Sequence, residues 1–384
     1  MITVLHAFPA WLPLTQTWMY TQVRFLPAEV EAHVVCQTTE NLDQFKVAKL
    51  HALSREPLGR RLWEKGLRRL HLRPRFGFVL TVSRRVHAQV LHSHFGDLAW
   101  AYAPAAARAG LKHVCSFYGY DLGWLPRSNP VWLGRYRELF ASVDRVLCEG
   151  SRMAESLQAL GCPAAKIRVH HLGVSLGDIP FRPRRWSPGE PLRVLIAASF
   201  QEKKGIPDAV EALGRLQSRV RLEITIVGDA NTETKSQAEK AKILAAIERN
   251  GLGPRTRLLG YRSWAQLFEE AYRHHVFLHP SVTAADGDSE GGVPVTLIEM
   301  AATGMPVVST THADIPEVVL HGTTGLLARE HDVEGLVACM ERLVSQPQAW
   351  DGMVQAARLH LEENYDAVKQ GQHLARLYAE VVAA

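Results

Sequence analysis

The chain is more easily bounded by what it lacks. No apolar run approaches the roughly 18–20 residues that a bilayer-spanning helix needs. No Cys-x-x-Cys pair occurs, and the five cysteines (Cys36, Cys115, Cys148, Cys162, Cys339) are scattered and odd in number. That excludes a disulfide framework or a thiolate zinc knot and predicts buried free thiols in a reducing cytosol. Short repeats and low-complexity tracts are missing too. The first residues, Met1-Ile-Thr-Val-Leu-His6, lack a basic leader and read as a strand at once. No nucleic-acid motif or stacking platform accompanies the positive charge, so nucleic acid is not an expected partner.

What is present is an ordinary globular composition, with 47% hydrophobic and 22% charged residues over 384 positions. That length exceeds what one core organises and predicts two domains. Short β-branched runs alternate with amphipathic stretches, the pattern of parallel sheets with crossover helices. Strands are expected at 2–6, 32–36, 90–94, 113–117 and 145–148, with helices at 17–26 and 100–109 among the segments between. The pattern restarts with strands at 193–197, 223–227, 256–259, 276–279 and 307–309. The fold class is α/β, with two doubly wound domains: 1–175, a proline-rich linker over 176–190, and 191–360. A final helical segment, 361–384, is expected to pack back on the first domain. Ligands of such sheets sit beyond the carboxyl ends of the strands, so a cleft between the domains is the expected site.

The net charge of +5 is unevenly spread. Between Arg55 and Arg85 lie Arg60, Arg61, Lys65, Arg68, Arg69, Arg73, Arg75 and Arg84, against only Glu56 and Glu64. Leu58, Leu62, Trp63, Leu67 and Leu70 interleave with them at helical spacing. Such a segment either lies on an anionic membrane surface or packs its apolar face on its own domain.

The most informative stretch runs from Pro280 to Ser309: a strand end, a polar loop, the pair Gly291-Gly292, a helix, and a Gly304-Met-Pro turn into a buried strand. The glycines let backbone approach a ligand. Pro294 suits a first helical turn, and the free N–H groups near Val293, Val295 and Thr296 suit a diphosphate. Glu290 in the loop and Glu299 in the helix offer two carboxylates for sugar and ribose hydroxyls.

This segment resembles the signature of the family 4 retaining glycosyltransferases of GT-B fold, whose nearest types build bacterial polysaccharide and lipopolysaccharide. The likeness continues in Ile315-Pro-Glu-Val-Val-Leu-His-Gly, in Gly260-Tyr261-Arg262 and in Phe277-Leu-His-Pro-Ser281. The resemblance implies two Rossmann-like domains facing a cleft. It also implies a UDP- or GDP-sugar donor, no bound cofactor or metal, a glycan acceptor carried on a lipid, and a cytoplasmic protein that touches the membrane peripherally. It places Glu290 on the sugar, with Asp288 as the alternative because one extra glycine separates the two glutamates. It places Glu299 on the ribose and Tyr261 and Arg262 near the base. Lys204, before Gly205, matches the family lysine on the leaving diphosphate. The partner arginine position holds Ser199, and Lys203 is the candidate replacement.

In the first half, Phe8-Pro…Gln16-Thr17 resembles the family's first loop, with Gln16 in place of its glutamate. His92-Ser-His94-Phe-Gly96-Asp97 matches the His-x-His-Phe-Gly segment. Two histidines so close suit a metal, but no further ligand is spaced in sequence to join them. Ser116-Phe-Tyr118-Gly-Tyr-Asp121 aligns where relatives carry Phe-His-Gly-Tyr-Asp, so Tyr118 replaces a catalytic histidine. Cys148-Glu149-Gly-Ser-Arg matches a strand-to-helix junction. Gln16, Thr17, His94, Gly96, Asp97, Asp121 and Glu149 are therefore candidate substrate residues. Four rival readings are a Mn²⁺-chelating Asp286-Gly-Asp288 transferase, a GT-B epimerase or phosphorylase whose signatures no segment resembles, a degenerate partner subunit motivated by Ser199, Gln16 and Tyr118, and a transferase with a small-molecule acceptor.

Overall fold

The computed structural model describes residues 1–13, 16–70, 72 and 77–384. It divides into two units, residues 1–173 with 367–384, and residues 174–366. The first unit holds seven strands: β1 (Ile2–Trp11), β2 (Val30–Thr39), β3 (Leu50–Ala52), β4 (Val90–His94), β5 (Lys112–Ser116), β6 (Arg145–Cys148) and β7 (Ile167–Val169). All pair in parallel in the order β3-β2-β1-β4-β5-β6-β7. The second holds β8 (Leu192–Ala197), β9 (Leu222–Val227), β10 (Thr256–Leu258), β11 (Val276–His279), β12 (Val307–Thr310) and β13 (Leu326–Ala328). These too pair in parallel, in the order β10-β9-β8-β11-β12-β13.

The central strands are apolar because helices cover both faces. In the second unit, Val194 and Ile196 face one core while Leu195 and Ala197 face the other. In each sheet the strand order reverses once, between β1 and β4 and between β8 and β11, and that crevice is where such sheets bind ligands.

Three short strands, β3, β7 and β13, add to those expected from the sequence. The last helix runs Ala367–Ala383 and belongs to the first unit, where Leu374, Leu377, Tyr378 and Val381 pack with Val4, Val30 and Val90. Residues 176–190, expected as a linker, are instead built into the second unit. Arg184 donates to the carbonyls of Ala271 (3.1 Å), His274 (3.0 Å) and Thr303 (3.2 Å), closing the ends of two helices. Trp186 joins the core beside Trp350.

Candidate functional site

The site in the second unit is built by two turns that press together at the β8/β11 crevice. After β8, Glu202–Lys204 form one 3₁₀ turn that ends in Gly205 at φ +61°. A Cβ at Gly205 would lie 1.9 Å from the Pro280 carbonyl oxygen, so only glycine lets this turn rest on the loop after β11. The contact is completed by Val282 N–H donating to the Lys203 carbonyl at 2.9 Å.

That approach delivers both lysines to the acidic loop. Lys204 Nζ lies 2.8 Å from Glu290 Oε2, and Ser281 Oγ donates to Glu290 Oε1 at 2.9 Å. The Glu290 N–H donates to His312 Nε2 at 3.1 Å, and His312 Nδ1 contacts Glu330 Oε1 at 2.9 Å. Burial would raise the Glu290 carboxyl, but Lys204 and then Lys203 outweigh it and hold it at about 2. Lys203 Nζ reaches Asp288 Oδ2 at 3.1 Å and the Ser289 carbonyl at the same distance. The two alternatives for the first glutamate role therefore each have a lysine, and Glu290 takes the one next to Gly205. Ser199, half-buried after β8, brings no charge.

Gly291 sits at φ +78°, Gly292, Val293 and Pro294 are buried, and a helix begins at Val295. Pro294 occupies the position before the helix rather than its first turn. The N–H groups of Val295 and Thr296 thus head the helix with no intrahelical acceptor, as first-turn amides do. Glu299 follows one turn on and accepts from the Trp264 indole at 3.1 Å. Burial pushes its carboxyl up to about 7, against that hydrogen bond. Tyr261 is exposed beside Gly260, and the Arg262 guanidinium donates to the Tyr261 carbonyl at 3.1 Å.

The first unit assembles a polar core at the β1/β4 crevice. His94 Nδ1 lies 2.6 Å from the Tyr118 hydroxyl and His94 Nε2 lies 3.1 Å from His6 Nδ1. His6 Nε2 meets the Tyr378 hydroxyl at 3.4 Å, which meets His92 Nδ1 at 2.6 Å. His92 Nε2 meets Ser116 Oγ at 2.8 Å, and Ser116 bonds back to Tyr118. The six side chains close a ring in which every imidazole is neutral, donating from one nitrogen and accepting at the other. Burial holds His6 at about 3 and keeps His92 and His94 well below the usual histidine range. His6 is the third histidine that sequence spacing did not supply, since it arrives from β1. The three offer ligand atoms within 4.8 Å of one another, yet the ring already engages those nitrogens.

The same ring turns the Tyr118 hydroxyl inward. It also accepts from Gln22 Nε2 at 3.3 Å, and the residue is 7% exposed. Asp121 is fully buried and accepts from the N–H groups of Gly96 (2.7 Å) and Tyr118 (2.9 Å). Burial raises its carboxyl to about 7 in spite of those bonds. It therefore fixes two loops to each other. Gly96 lies against Phe117, where a Cβ would come within 2.4 Å of the ring. Asp97 stands in the first turn of the helix Gly96–Ala109, raised by burial. Phe95, just before it, holds φ +79°, a conformation that costs about 1–3 kcal/mol and typically persists where structure around a site imposes it. Gln16 and Thr17 form the turn into the helix Trp18–Arg24, while the adjoining 14–15 lie outside the described residues. The Glu149 carbonyl contacts His171 Nδ1 at 2.6 Å.

A family model described as Glycosyl transferases group 1 matches residues 191–346, and one described as Glycosyltransferase Family 4 matches residues 15–178. The amylovoran biosynthesis glycosyltransferase AmsK of Erwinia amylovora is 35% identical over 64% of this chain and 58% of its own length. WcaL of Escherichia coli K12, a glycosyltransferase named for colanic acid biosynthesis, is 32% identical over 77% of this chain and 71% of its own. The chain thus spans less than two thirds of the first of these relatives. Among solved structures, Anabaena Alr3699/HepE in complex with UDP and glucose superposes with a TM-score of 0.77 at 17% identity. The alignment covers 99% of this chain and all of that one, and shows that the two share the fold.

Proposed function

Because the chain belongs to the family 4 glycosyltransferases, we propose that it moves a sugar from a nucleoside-diphosphate sugar to a glycan acceptor in bacterial surface-polysaccharide synthesis. The observation that carries this reading is the Lys204–Glu290 pair beside the opening turn of the helix Val295–Ala302. An ammonium and two amide N–H groups suit a diphosphate, and the neighbouring carboxylate suits sugar hydroxyls. That HepE was solved with UDP and glucose supports the same donor class here.

Transfer keeps the anomeric configuration. The bond from the sugar's C1 to the phosphate oxygen breaks as the acceptor oxygen bonds on the same face, and the acceptor's proton passes to the departing phosphate. The protein's part is electrostatic: Lys204 and the helix-end amides receive the charge that develops on the diphosphate. Glu299 takes the ribose, and Tyr261 and Arg262 stand at the base. The first unit takes the acceptor, with Gln16, Thr17 and Glu149 as its candidate contacts. Asp121 and His94 hold the loops rather than the ligand, and Tyr118 acts through them. A metal is not required. Asp286 and Asp288, the rival chelate, are each paired with a lysine, Lys235 at 2.6 Å and Lys203 at 3.1 Å.

A thermal-shift panel with UDP, GDP, ADP, CDP and dTDP in EDTA tests the donor site. One nucleotide at 100 times its dissociation constant adds about 2.7 kcal/mol, a shift of several degrees. No response to any of them would favour the degenerate-subunit reading, which the uncharged Ser199 and the inward Tyr118 hydroxyl motivate.

The acceptor is carried on lipid, and the helix Leu58–Arg69 brings the protein to it. Its buried stripe is only Glu64 and Leu67; Leu58, Leu62, Trp63 and the adjoining Leu70 are 53–66% exposed. At 100° per residue those four span an arc of about 140°, bordered along one side by Arg61, Lys65 and Arg68, with Arg69 between Leu58 and Leu62. Arg73 and Arg75, part of the same basic run, lie outside the described residues. No helix among the described residues is long and apolar enough to cross a membrane. The protein is expected to sediment with phosphatidylglycerol-containing vesicles and not with phosphatidylcholine alone. Trp63→Asp should abolish this without lowering Tm, and Arg61→Ala/Lys65→Ala should weaken it by about 2 kcal/mol, roughly 30-fold.

A further inference from the structure

A cavity of about 510 Å³ opens in the second unit at the amino ends of β8, β9 and β10. That end of the sheet is opposite the one bearing Lys204 and Glu290. Arg193, Arg255, Arg257 and Arg273 line it, with Glu223 and His274.

Its charges do not balance. Arg257 and Arg273 share one carboxylate oxygen, Glu270 Oε1, at 3.5 Å and 3.0 Å. Arg193 donates to the Arg273 carbonyl at 2.7 Å and contacts His275; Arg255 donates to Gln217 Oε1 at 3.0 Å. Neither has a carboxylate within ion-pair distance among the described residues. His274 and His275 bring no charge, because burial lowers both, His275 to about 4. Four guanidinium groups therefore face two carboxylates, Glu223 and Glu270, which leaves an excess of two positive charges. Planar forks with spare N–H groups suit phosphate oxygens above other anions.

We propose that this cavity binds a small phosphate-bearing anion, and that its occupancy is felt at the donor site through the helix Trp264–Arg273. That helix begins with the indole that holds Glu299 and ends with an arginine of the cavity, about 15 Å away. β8 makes a second link, beginning beside Arg193 and ending two residues before Ser199. Both links are rigid elements with a functional group at each end. Binding at the cavity stands on its own; the coupling rests on the proposed donor site.

The test is isothermal titration of the full chain with inorganic phosphate and, separately, glucose 1-phosphate. Three proteins are compared: the unaltered chain, Arg255→Gln/Arg257→Gln and Lys204→Ala. Arg255 and Arg257 are exposed, so their replacement leaves the fold in place. Binding should weaken at least tenfold in the arginine variant and persist in Lys204→Ala. The tighter of the two ligands shows whether free phosphate or a phosphorylated sugar is the occupant. The nucleotide that stabilises the protein should then change affinity by roughly 5-fold or more when the cavity is saturated, and reciprocally. Loss of phosphate binding in Lys204→Ala with retention in the arginine variant would place the anion at the donor site and overturn the proposal. So would no binding to the unaltered chain. Nucleotide affinity indifferent to phosphate would overturn the coupling. Phosphate bound through the arginines with no nucleotide bound at all would uphold the cavity while refuting the donor site.

Discussion

Lys204→Ala is expected to lower kcat by about 10²–10³-fold, the scale on which removal of one preorganised group from a developing negative charge is felt. The ammonium is held in place before any donor arrives, 2.8 Å from Glu290 in the loop that leads into the helix Val295–Ala302. Its removal has a second effect. Glu290 would keep its charge with only Ser281 and the more distant Lys203 to offset burial, and breaking such a pair destabilises by about 3–5 kcal/mol. Activity and Tm should therefore both fall. The double variant Lys204→Ala/Glu290→Gln separates the two effects, because a neutral amide can still accept from Ser281. It should regain most of the lost Tm and none of the lost kcat. Recovery of both would make the lysine a structural partner of Glu290 and leave the diphosphate without its cation.

Mild acid should unfold the first unit before the second. His6, His92, His94, His113 and His170 are buried in it and neutral, with His6 and His170 held at about 3 and His113 at about 4 by burial. In the unfolded chain each would take up a proton near 6.5. The folded state then binds fewer protons, so stability is full above about pH 6.5 and is lost as pH falls toward the folded values. At pH 5, His6 and His170 alone account for about 4 kcal/mol, 1.5 pH units at about 1.4 kcal/mol each. That is a large part of the roughly 5–15 kcal/mol that holds a domain together. The second unit buries fewer such histidines, His274, His275 and His279, the last two held at about 4, and its Glu290 is depressed to about 2, so that carboxylate's contribution is lost only below about pH 4.5. Calorimetry at pH 7.5 and pH 5 should show both transitions moving down, that of the first unit further, because it buries more neutral histidines. Equal shifts would mean that the ring takes up protons without unfolding.

The segments of the proposed donor site could be picked out in the sequence because each is local. Lys204-Gly205 and the loop from Pro280 to Glu299 are two short stretches, and the structure brings them into contact. The central strands were legible because burial on both faces makes them continuous apolar runs. β3, β7 and β13 escaped notice because three residues are too few to show a period. The histidine ring could not be foreseen: its members come from β1, β4, β5, the loop after β5 and the last helix, and His6 and Tyr378 are 372 residues apart. The arginine cavity is hidden for a similar reason, since each arginine alone reads as a solvated charge near a strand start. In the helix Leu58–Arg69, periodicity marked an apolar face without saying what it met. The structure leaves that face in water because Glu64, which accepts from the Phe78 N–H at 2.9 Å, and Leu67 turn inward in its place.

Tyr378 lies in the last helix, yet it closes the ring of the first unit, and this bears on how the chain is made. The second unit is continuous in sequence, from 174 to 366, whereas the first waits for residues 367–384 to complete it. At a synthesis rate of roughly 5–20 residues per second, that wait is about 10–40 seconds. Through it Val4, Val30 and Val90 have no Leu374, Leu377 or Val381 to cover them. The nascent first unit is thus a natural client for chaperones, and a chain that stops before residue 367 leaves that apolar face uncovered.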